Sequence, residues 1–192
     1  MPRSREQNAL IREQAKNNIL QKSVAFFAKN GVKGTTIGEL TKGIGISQGA
    51  IYVYYDSKED LYQDVVLFAR GKILSESLLE IEEMNVPAIR KLRYISDMIL
   101  KNLSEEKLYA SYLYLALDPF MKSGFSKEEN PFFDLMKSVI KEGQKDGAFA
   151  KGDVVKTAEY FWSVVYIYSM KKVHDPKCTL LTSSELERVI RG

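Results

Sequence analysis

The chain has 192 residues, 45% of them hydrophobic and 28% charged, with a formal net charge of +3, so it is long enough to bury a substantial core. These values exclude an intrinsically disordered chain, a collagen-like repeat and a small disulfide-stapled domain. One cysteine and one histidine cannot form an intrachain disulfide or a histidine-rich metal site, so neither a metal nor a cofactor is expected.

The first predicted helix covers much of the N-terminal 30 residues. Apolar side chains recur at helical spacing from Ile11 through Ile19 to Ala28, which predicts one amphipathic helix. Asn30-Gly31 follows, a pair that suits the left-handed geometry at a helix C-terminus. The sequence therefore predicts that this helix ends at about residue 30.

Two short helices are predicted next. Thr36 and Glu39 have the spacing of a capping box, which opens a second helix to about Lys42. Ser47 can cap a third helix that runs to about Tyr54. Two short helices joined by a glycine-containing turn form a helix-turn-helix unit.

Longer helices follow in the rest of the chain. Ser57 opens one that is predicted to continue through about Glu83, and Pro87 stands at the start of the next. Asp118-Pro119 is predicted to end the helix after that. The last predicted helices are 131–147, 153–173 and a short one from Ser184. No alternating stretch is long enough for a sheet, so the predicted fold class is all-α.

No export signal is expected, because no apolar segment follows the charged N-terminus. The apolar stretches 112–117 and 162–168 are far shorter than the ~20 residues that span a bilayer. A cytoplasmic protein without a membrane partner is therefore expected.

Charge is distributed unevenly along the chain. Residues 1–55 carry eight basic and three acidic side chains, a net charge of +5, whereas residues 56–192 carry 20 basic and 22 acidic ones, a net charge of −2. A basic N-terminal quarter on a slightly acidic remainder indicates a polyanion partner at one end.

The third predicted helix has the size and side chains of a helix that enters DNA. Its length of about 12 Å matches the width of the major groove. Ser47, Gln48 and Ala50 are predicted to contact base edges, and Gly49 permits close approach. The predicted phosphate contacts are Lys33, Thr35, Thr36, Tyr52, Tyr54 and Lys58.

The N-terminal sequence resembles the tetracycline-repressor (TetR) family of bacterial transcription regulators. The resemblance covers about residues 10–65 and is carried by the segments 26–31 (FFAKNG), 35–37 (TTI), 44–52 (IGISQGAIY) and 54–62 (YYDSKEDLY). The family usually has His-Phe where this chain has Tyr54-Tyr55, so both positions stay aromatic and Tyr54 keeps a donor. Asp56 stands where a basic residue is frequent in the family, so the resemblance does not imply a phosphate contact at Asp56.

The resemblance implies two domains, residues 1–56 for DNA binding and residues 57–192 for effector binding and dimerisation. It implies a homodimeric repressor that binds a pseudo-palindromic operator and whose dimer interface is formed by the last two long helices. An effector is expected to move the helix that begins at Ser57 and so to release the repressor from its operator. The candidate dimer-interface residues are Met136, Val139, Ile140, Gly143, Phe161, Val165, Tyr168 and Ser169.

Aromatic side chains are frequent in the middle helices. Tyrosines each need a hydrogen-bond partner or water, which indicates a cavity for a flat, amphipathic or cationic ligand as an alternative to a dry core. The candidate pocket residues are Tyr94, Tyr109, Tyr112, Phe120, Phe133, Trp162 and Tyr166. The sequence does not separate pocket, core and dimer seam among them.

Two other classes of protein are alternatives. One is a DNA-binding protein of the same fold without a small-molecule switch, architectural or activating in function. The other is a helical carrier or enzyme with an incidental basic end. No nucleophile and base can be paired around a single histidine, so no catalytic residue is predicted and an enzyme is not expected.

Overall fold

The computed structural model describes residues 5–73, 80, 81, 83–124 and 130–191. Within those residues the chain folds into nine helices and no strand, which confirms the all-α prediction. The helices are α1 (Arg5–Asn30), α2 (Ile37–Ile44), α3 (Gln48–Tyr52), α4 (Lys58–Ile73), α5 (Ala88–Glu105), α6 (Tyr109–Ser123), α7 (Pro131–Lys145), α8 (Val154–His174) and α9 (Ser183–Arg191).

The ends of α2 follow from local chemistry. The Thr36 hydroxyl accepts from the Glu39 amide at 3.2 Å, while the Glu39 carboxylate accepts from the Thr36 amide at 2.9 Å. This reciprocal pair satisfies two amides that a first turn leaves free. The helix ends at Ile44, later than the predicted Lys42, because the left-handed residue is Gly45, with a φ of 68°.

Helix α6 corrects one prediction. Asp118-Pro119 does not end it, because the helix continues to Ser123 with Pro119 inside. Its last turn is held by burial of Phe120, which is 3% exposed, and by a hydrogen bond from the Ser123 hydroxyl to the Pro119 carbonyl. Gly124, with a φ of 92°, then ends the helix.

Side-chain caps set the starts of the later helices. The Asn130 side chain accepts from the Phe133 amide before α7, and the Asp153 carboxylate accepts from two amides of α8. Thr182 and Glu185 repeat the capping box before α9, so this helix begins one residue earlier than predicted. Most of the predicted extension of α4 to residue 83 lies outside the described residues.

Two apolar clusters form the interior. The head, α1–α3, buries Phe27, Leu40 and Ile51, and this cluster also takes in residues of α4. The body, α5–α9, has its own larger cluster. Leu115 of α6 is 1% exposed and lies in the head cluster, so the body reaches into the head. Among the described residues no helix is long and apolar enough to cross a membrane.

Candidate nucleic-acid interface

Helix α3 has one buried and one exposed face. Ile51 is fully buried and fastens the helix to the head, and Leu40 of α2 is buried in the same cluster. The opposite face presents Gln48 and Tyr52, and Tyr52 is 54% exposed. Val53, directly after the helix, is 59% exposed and is not among the predicted contacts. A helix held from behind with an exposed front can enter a groove without rearrangement.

The predicted base-reading residues lie together at the start of α3. The Ser47 hydroxyl caps the helix by accepting from the Ala50 amide at 3.2 Å, which leaves its own hydrogen free to donate. The Gln48 amide nitrogen lies against α2, where a Cβ added at Gly38 would stand 3.2 Å from it. The absence of a side chain at Gly38 therefore provides space for the Gln48 side chain.

The predicted phosphate contacts divide into exposed and internal groups. Lys33 and Thr36 are exposed, and Tyr54 is half-buried. Thr35 is 2% exposed and its hydroxyl donates to the Gly31 carbonyl at 2.6 Å, so its side chain faces the protein interior and not a phosphate. This burial corrects the prediction for the Thr35 side chain.

Lys58 has an internal partner that the sequence did not reveal. Its Nζ donates to the Thr35 carbonyl at 2.8 Å and lies 3.7 Å from a Glu59 carboxylate oxygen. The lysine therefore joins the first turn of α4 to the loop before α2. Its predicted phosphate contact would compete with that hydrogen bond.

Two basic residues of α1 lie beside the end of α3 and were missed as site residues. The Arg12 guanidinium stands 5.4 Å from the centre of the Tyr54 ring, and the Lys16 ammonium 5.4 Å from that of Tyr55. Lys16 also pairs with Asp64 of α4 at 2.7 Å. Arg12 and Lys16 are four residues apart on a basic helix, so the sequence already indicates that they share one face of α1.

Glu39 is the acidic group of this surface whose ionisation is perturbed. Hydrogen bonds from the Thr36 amide and hydroxyl, helped by the positive charge of Lys58, lower the pKa of its carboxyl below the ordinary value of 4.5. The carboxylate is therefore engaged by Thr36 at the start of α2.

The candidate pocket residues do not converge on one cavity. Tyr94 is 41% exposed on the outside of α5, which excludes it from an interior pocket. The others are buried or half-buried in the body, where Trp162 meets Phe132 and Phe161 edge-on. Burial raises the pKa of Tyr109 to about 12 and also raises those of Tyr112 and Tyr166.

Two cavities lie at the junction of head and body. One, of about 590 Å³, is bounded by α1, the turn between α5 and α6, and the end of α8. The other, of about 210 Å³, lies between residues 30–34 of the head and α4 and α6. None of the seven pocket candidates lines either cavity.

The residues predicted to form the dimer interface lie on the buried faces of α7 and α8. Seven of the eight residues are buried within the single chain, and only Tyr168 is half-exposed: the buried ones are Met136, Val139, Ile140, Gly143, Phe161, Val165 and Ser169. The four buried residues of α7 face α5 and α8, with which this helix is in contact, and the exposed side of α7 is polar. Buried side chains offer no surface to a second copy.

The sequence of the head is similar to that of known bacterial regulatory proteins. Residues 19–65 match the profile of the bacterial regulatory proteins of the tetR family. The transcriptional regulator AcrR of Shigella flexneri is 32% identical over 65 residues, which are 34% of this chain and 29% of AcrR. IcaR of Staphylococcus epidermidis, 31% identical over 51 residues, is likewise matched over only 28% of its length. IcaR of Staphylococcus aureus (strain Newman), a negative transcriptional regulator of the biofilm operon icaADBC, is 22% identical over 80% of this chain and 79% of its own.

Solved structures match over nearly the full length. A TetR-family regulator from Agrobacterium tumefaciens superposes with a TM-score of 0.67 at 15% identity, covering 94% of this chain and 95% of its own. HlyIIR, a hemolysin II transcriptional regulator, has a TM-score of 0.64 at 23% identity and covers 94% and 99%. At these identities the likeness shows a shared fold for head and body together.

Proposed function

We propose that the chain is a member of the tetR family of bacterial transcriptional regulators, a DNA-binding protein and not an enzyme, and that it acts as a dimeric, effector-released repressor; the match of residues 19–65 to the family profile and the likeness to IcaR support this. One observation supports DNA recognition above the others. The start of α3 exposes Gln48 and Gly49 on a helix whose rear is fixed by the buried Ile51. The basic charge of the N-terminal quarter supplies the attraction to phosphate.

Within this proposal, base contacts and phosphate contacts come from different residues. Ser47, Gln48 and Ala50 read base edges, since they stand at the N-terminal end of α3. Lys33, Thr36, Tyr52 and Tyr54 hold phosphates around it. Arg12 joins the phosphate set because it stacks on Tyr54. Lys58 and Thr35 contribute by fixing the loop that carries Lys33.

Repression is proposed from the named function of a relative and from simple sterics. IcaR, which matches most of this chain, is a negative regulator. A protein that occupies an operator close to a promoter excludes the polymerase without any catalysis. The same contacts would serve an activator, so a reporter gene placed behind the operator decides between the two.

For the dimer we propose an outward stripe of α8 in place of the buried seam. Tyr160 and Ile167 are 61% and 42% exposed, and Val164 lies between them on the same side of the helix. Two exposed apolar residues seven positions apart, with the half-buried Val164 between them, form one stripe along the helix. A two-fold dimer through this stripe would present two α3 helices to half-sites about 34–36 Å apart.

An effector is proposed for the body interior. Trp162 and Asn130 are each 2% exposed, and among the described residues neither Trp162 Nε1 nor Asn130 Nδ2 has a hydrogen-bond partner. Buried donors without partners are unfavourable, so a bound acceptor would stabilise the fold. The proposed effector is a flat or amphipathic molecule with a hydrogen-bond acceptor, and because neither junction cavity is lined by Trp162 or Asn130, its entry requires the body to open.

Selection of binding sites from random duplex DNA tests the function. We expect an inverted repeat whose half-site centres lie about one helical turn apart, with an affinity that falls steeply as salt rises. Binding that is equal on all sequences would contradict the repressor. The effector is tested by a thermal-shift screen of hydrophobic and cationic compounds, followed by a measurement of whether each compound releases the protein from its operator. If no compound changes the melting temperature or operator binding, a protein without a small-molecule switch is favoured.

A further inference from the structure

A buried carboxylate joins three helices where the head meets the body. Asp118 of α6 is 4% exposed and accepts hydrogen bonds from three side chains. The Tyr166 hydroxyl of α8 donates to Oδ1 at 3.0 Å, and the Tyr62 hydroxyl of α4 donates to Oδ2 at 3.2 Å. Lys122 Nζ lies 2.5 Å from Oδ2 and balances the charge. Both oxygens are therefore satisfied, and α4 is tied to the body through one of them.

Tyr62 connects head and body by its two ends. Its ring meets Phe27 edge-on, with centroids 5.4 Å apart, and Phe27 is fully buried in the head. Its hydroxyl points the other way, to Asp118. Burial raises the pKa of Tyr62 above its ordinary value of 10.0, so the hydroxyl stays protonated and donates a hydrogen bond to the carboxylate. A movement of α4 away from α6 would therefore lengthen or break this bond.

The body side of the junction is rigid and the head side is not filled. Tyr166 stacks on Tyr114 of α6 with centroids 5.1 Å apart, which fixes α6 and α8 to each other. On the head side, the cavity of about 210 Å³ separates residues 30–34 from Tyr62, Tyr114 and Asp118. Packing of Leu115 in the head cluster holds the two parts together, but this packing is interrupted at the cavity, so the hydrogen bond from Tyr62 adds to the contacts that fix the angle of the head.

We propose that Asp118 is the positioning residue that holds α4, and with it α3, at the angle at which the dimer matches its operator. The inference rests on the proposed function, because the angle matters only for a protein that reads two half-sites. Asp118 acts through Tyr62 and does not contact DNA. Its loss leaves each base contact intact but allows the separation of the two α3 helices to vary.

Two matched substitutions test the role. Tyr62→Phe removes the hydroxyl that ties α4 to Asp118, and Tyr166→Phe removes one from the same carboxylate without touching α4. Affinity is measured on the selected operator and on versions with one base pair added or removed between half-sites. We expect Tyr62→Phe to reduce the discrimination between spacings about tenfold, the scale of one hydrogen bond to a charged group. Tyr166→Phe should preserve it within about twofold, although both variants lower the melting temperature.

A measurement without DNA separates this inference from the proposed function. Nitroxide labels replace the exposed Lys42 of α2 and Lys141 of α7 in a Cys178→Ser background, and electron spin resonance gives the distance between head and body. The distribution should broaden with Tyr62→Phe and stay unchanged with Tyr166→Phe. Equal behaviour of the two variants in both assays would overturn the role of Asp118. A wild-type chain that selects no operator would overturn the proposed function, while the distance measurement still decides the positioning role.

Discussion

Lys58 Nζ donates to the backbone carbonyl of Thr35 across 2.8 Å, and this bond joins the first turn of α4 to the loop that precedes α2. The lysine is three-quarters buried along its side chain, and the neighbouring loop carries the exposed Lys33. One lysine therefore fixes the loop and the other faces outward from it.

The first prediction compares these two lysines. Replacing Lys33 with Met should reduce the salt dependence of operator affinity by about one counterion, because a phosphate contact is lost. Replacing Lys58 with Met should lower affinity and melting temperature with the salt slope unchanged. Fluorescence anisotropy at several salt concentrations measures both slopes. A reduced slope for Lys58→Met would mean that this lysine binds phosphate after all.

The second prediction concerns Gln48. Its replacement with Ala should cost roughly 1–3 kcal/mol on the selected operator and relax the preference at one base pair. Gly38→Ala should alter the preference at the same base pair, because the added Cβ stands 3.2 Å from the Gln48 amide nitrogen. Binding-site selection with each variant measures the change. An equal loss of affinity on all sequences would rule out base reading by Gln48.

The third prediction concerns a glycine in the body. A Cβ at Gly143 would overlap the ring of Phe149, which is 4% exposed, so Gly143→Ala should cost about 1–3 kcal/mol of unfolding free energy. Gly71→Ala in α4 is the control, since a Cβ there meets no described atom within 4 Å. It should stabilise by about 0.5–1 kcal/mol, the usual gain in a helix interior. Urea unfolding measures both, and similar results would show that Phe149 moves freely.

The fourth prediction is a pH dependence of the head. The folded-state pKa of Glu39 lies below its ordinary value of 4.5, so its carboxylate stabilises the fold above that pH. This contribution is lost as the pH falls through the lowered pKa. The melting temperature of Glu39→Gln should therefore lie below that of the wild type at pH 7, and the gap should close towards pH 3.

A second capping box provides the control for that measurement. Thr182 lowers the pKa of Glu185 in the same way at the start of α9. Glu185→Gln should show the same closing gap, and the double variant the sum of the two effects, because the sites share no partner. If the difference in melting temperature between wild type and variant does not change with pH, both effects come from the shape of the side chain and not from its charge.

The fifth prediction addresses the dimer. Ile167→Asp places a charge in the outward stripe of α8 and should shift the protein towards monomers in sedimentation at micromolar concentration. Val155→Asp is the control, because Val155 is similarly exposed, at 39% against 42%, but points to another side of the same helix. It should leave the assembly unchanged, and monomers from both variants would indicate general destabilisation.

Local signals in the sequence were sufficient for most helix boundaries. The capping pair Thr36 and Glu39 and the left-handed Gly45 act within a few residues, so their effect is visible in the sequence. Pro119 was predicted to end a helix, yet burial of Phe120 one residue later carries the helix onward. Tertiary packing, which a local pattern does not contain, decided that case.

The site was predicted less completely than the fold. The proposed base-reading residues lie at the start of α3, where the sequence pattern puts them, but the hydrogen bond from Lys58 to the Thr35 carbonyl joins residues 23 positions apart, which no local pattern contains. The dimer-seam residues were misplaced because apolar spacing identifies a buried face without saying what covers it. On α7 that cover is the same chain.

Leu115 has a consequence for modularity. A body residue completes the interior of the head, so a fragment ending at residue 56 would expose apolar surface where Leu115 and α4 normally sit. Chimeras that exchange heads between relatives should therefore fold better when α4 and α6 travel with the transplanted segment. The proposed operator preference would then be inherited together with part of the proposed effector-binding half, and the two would diversify as linked traits.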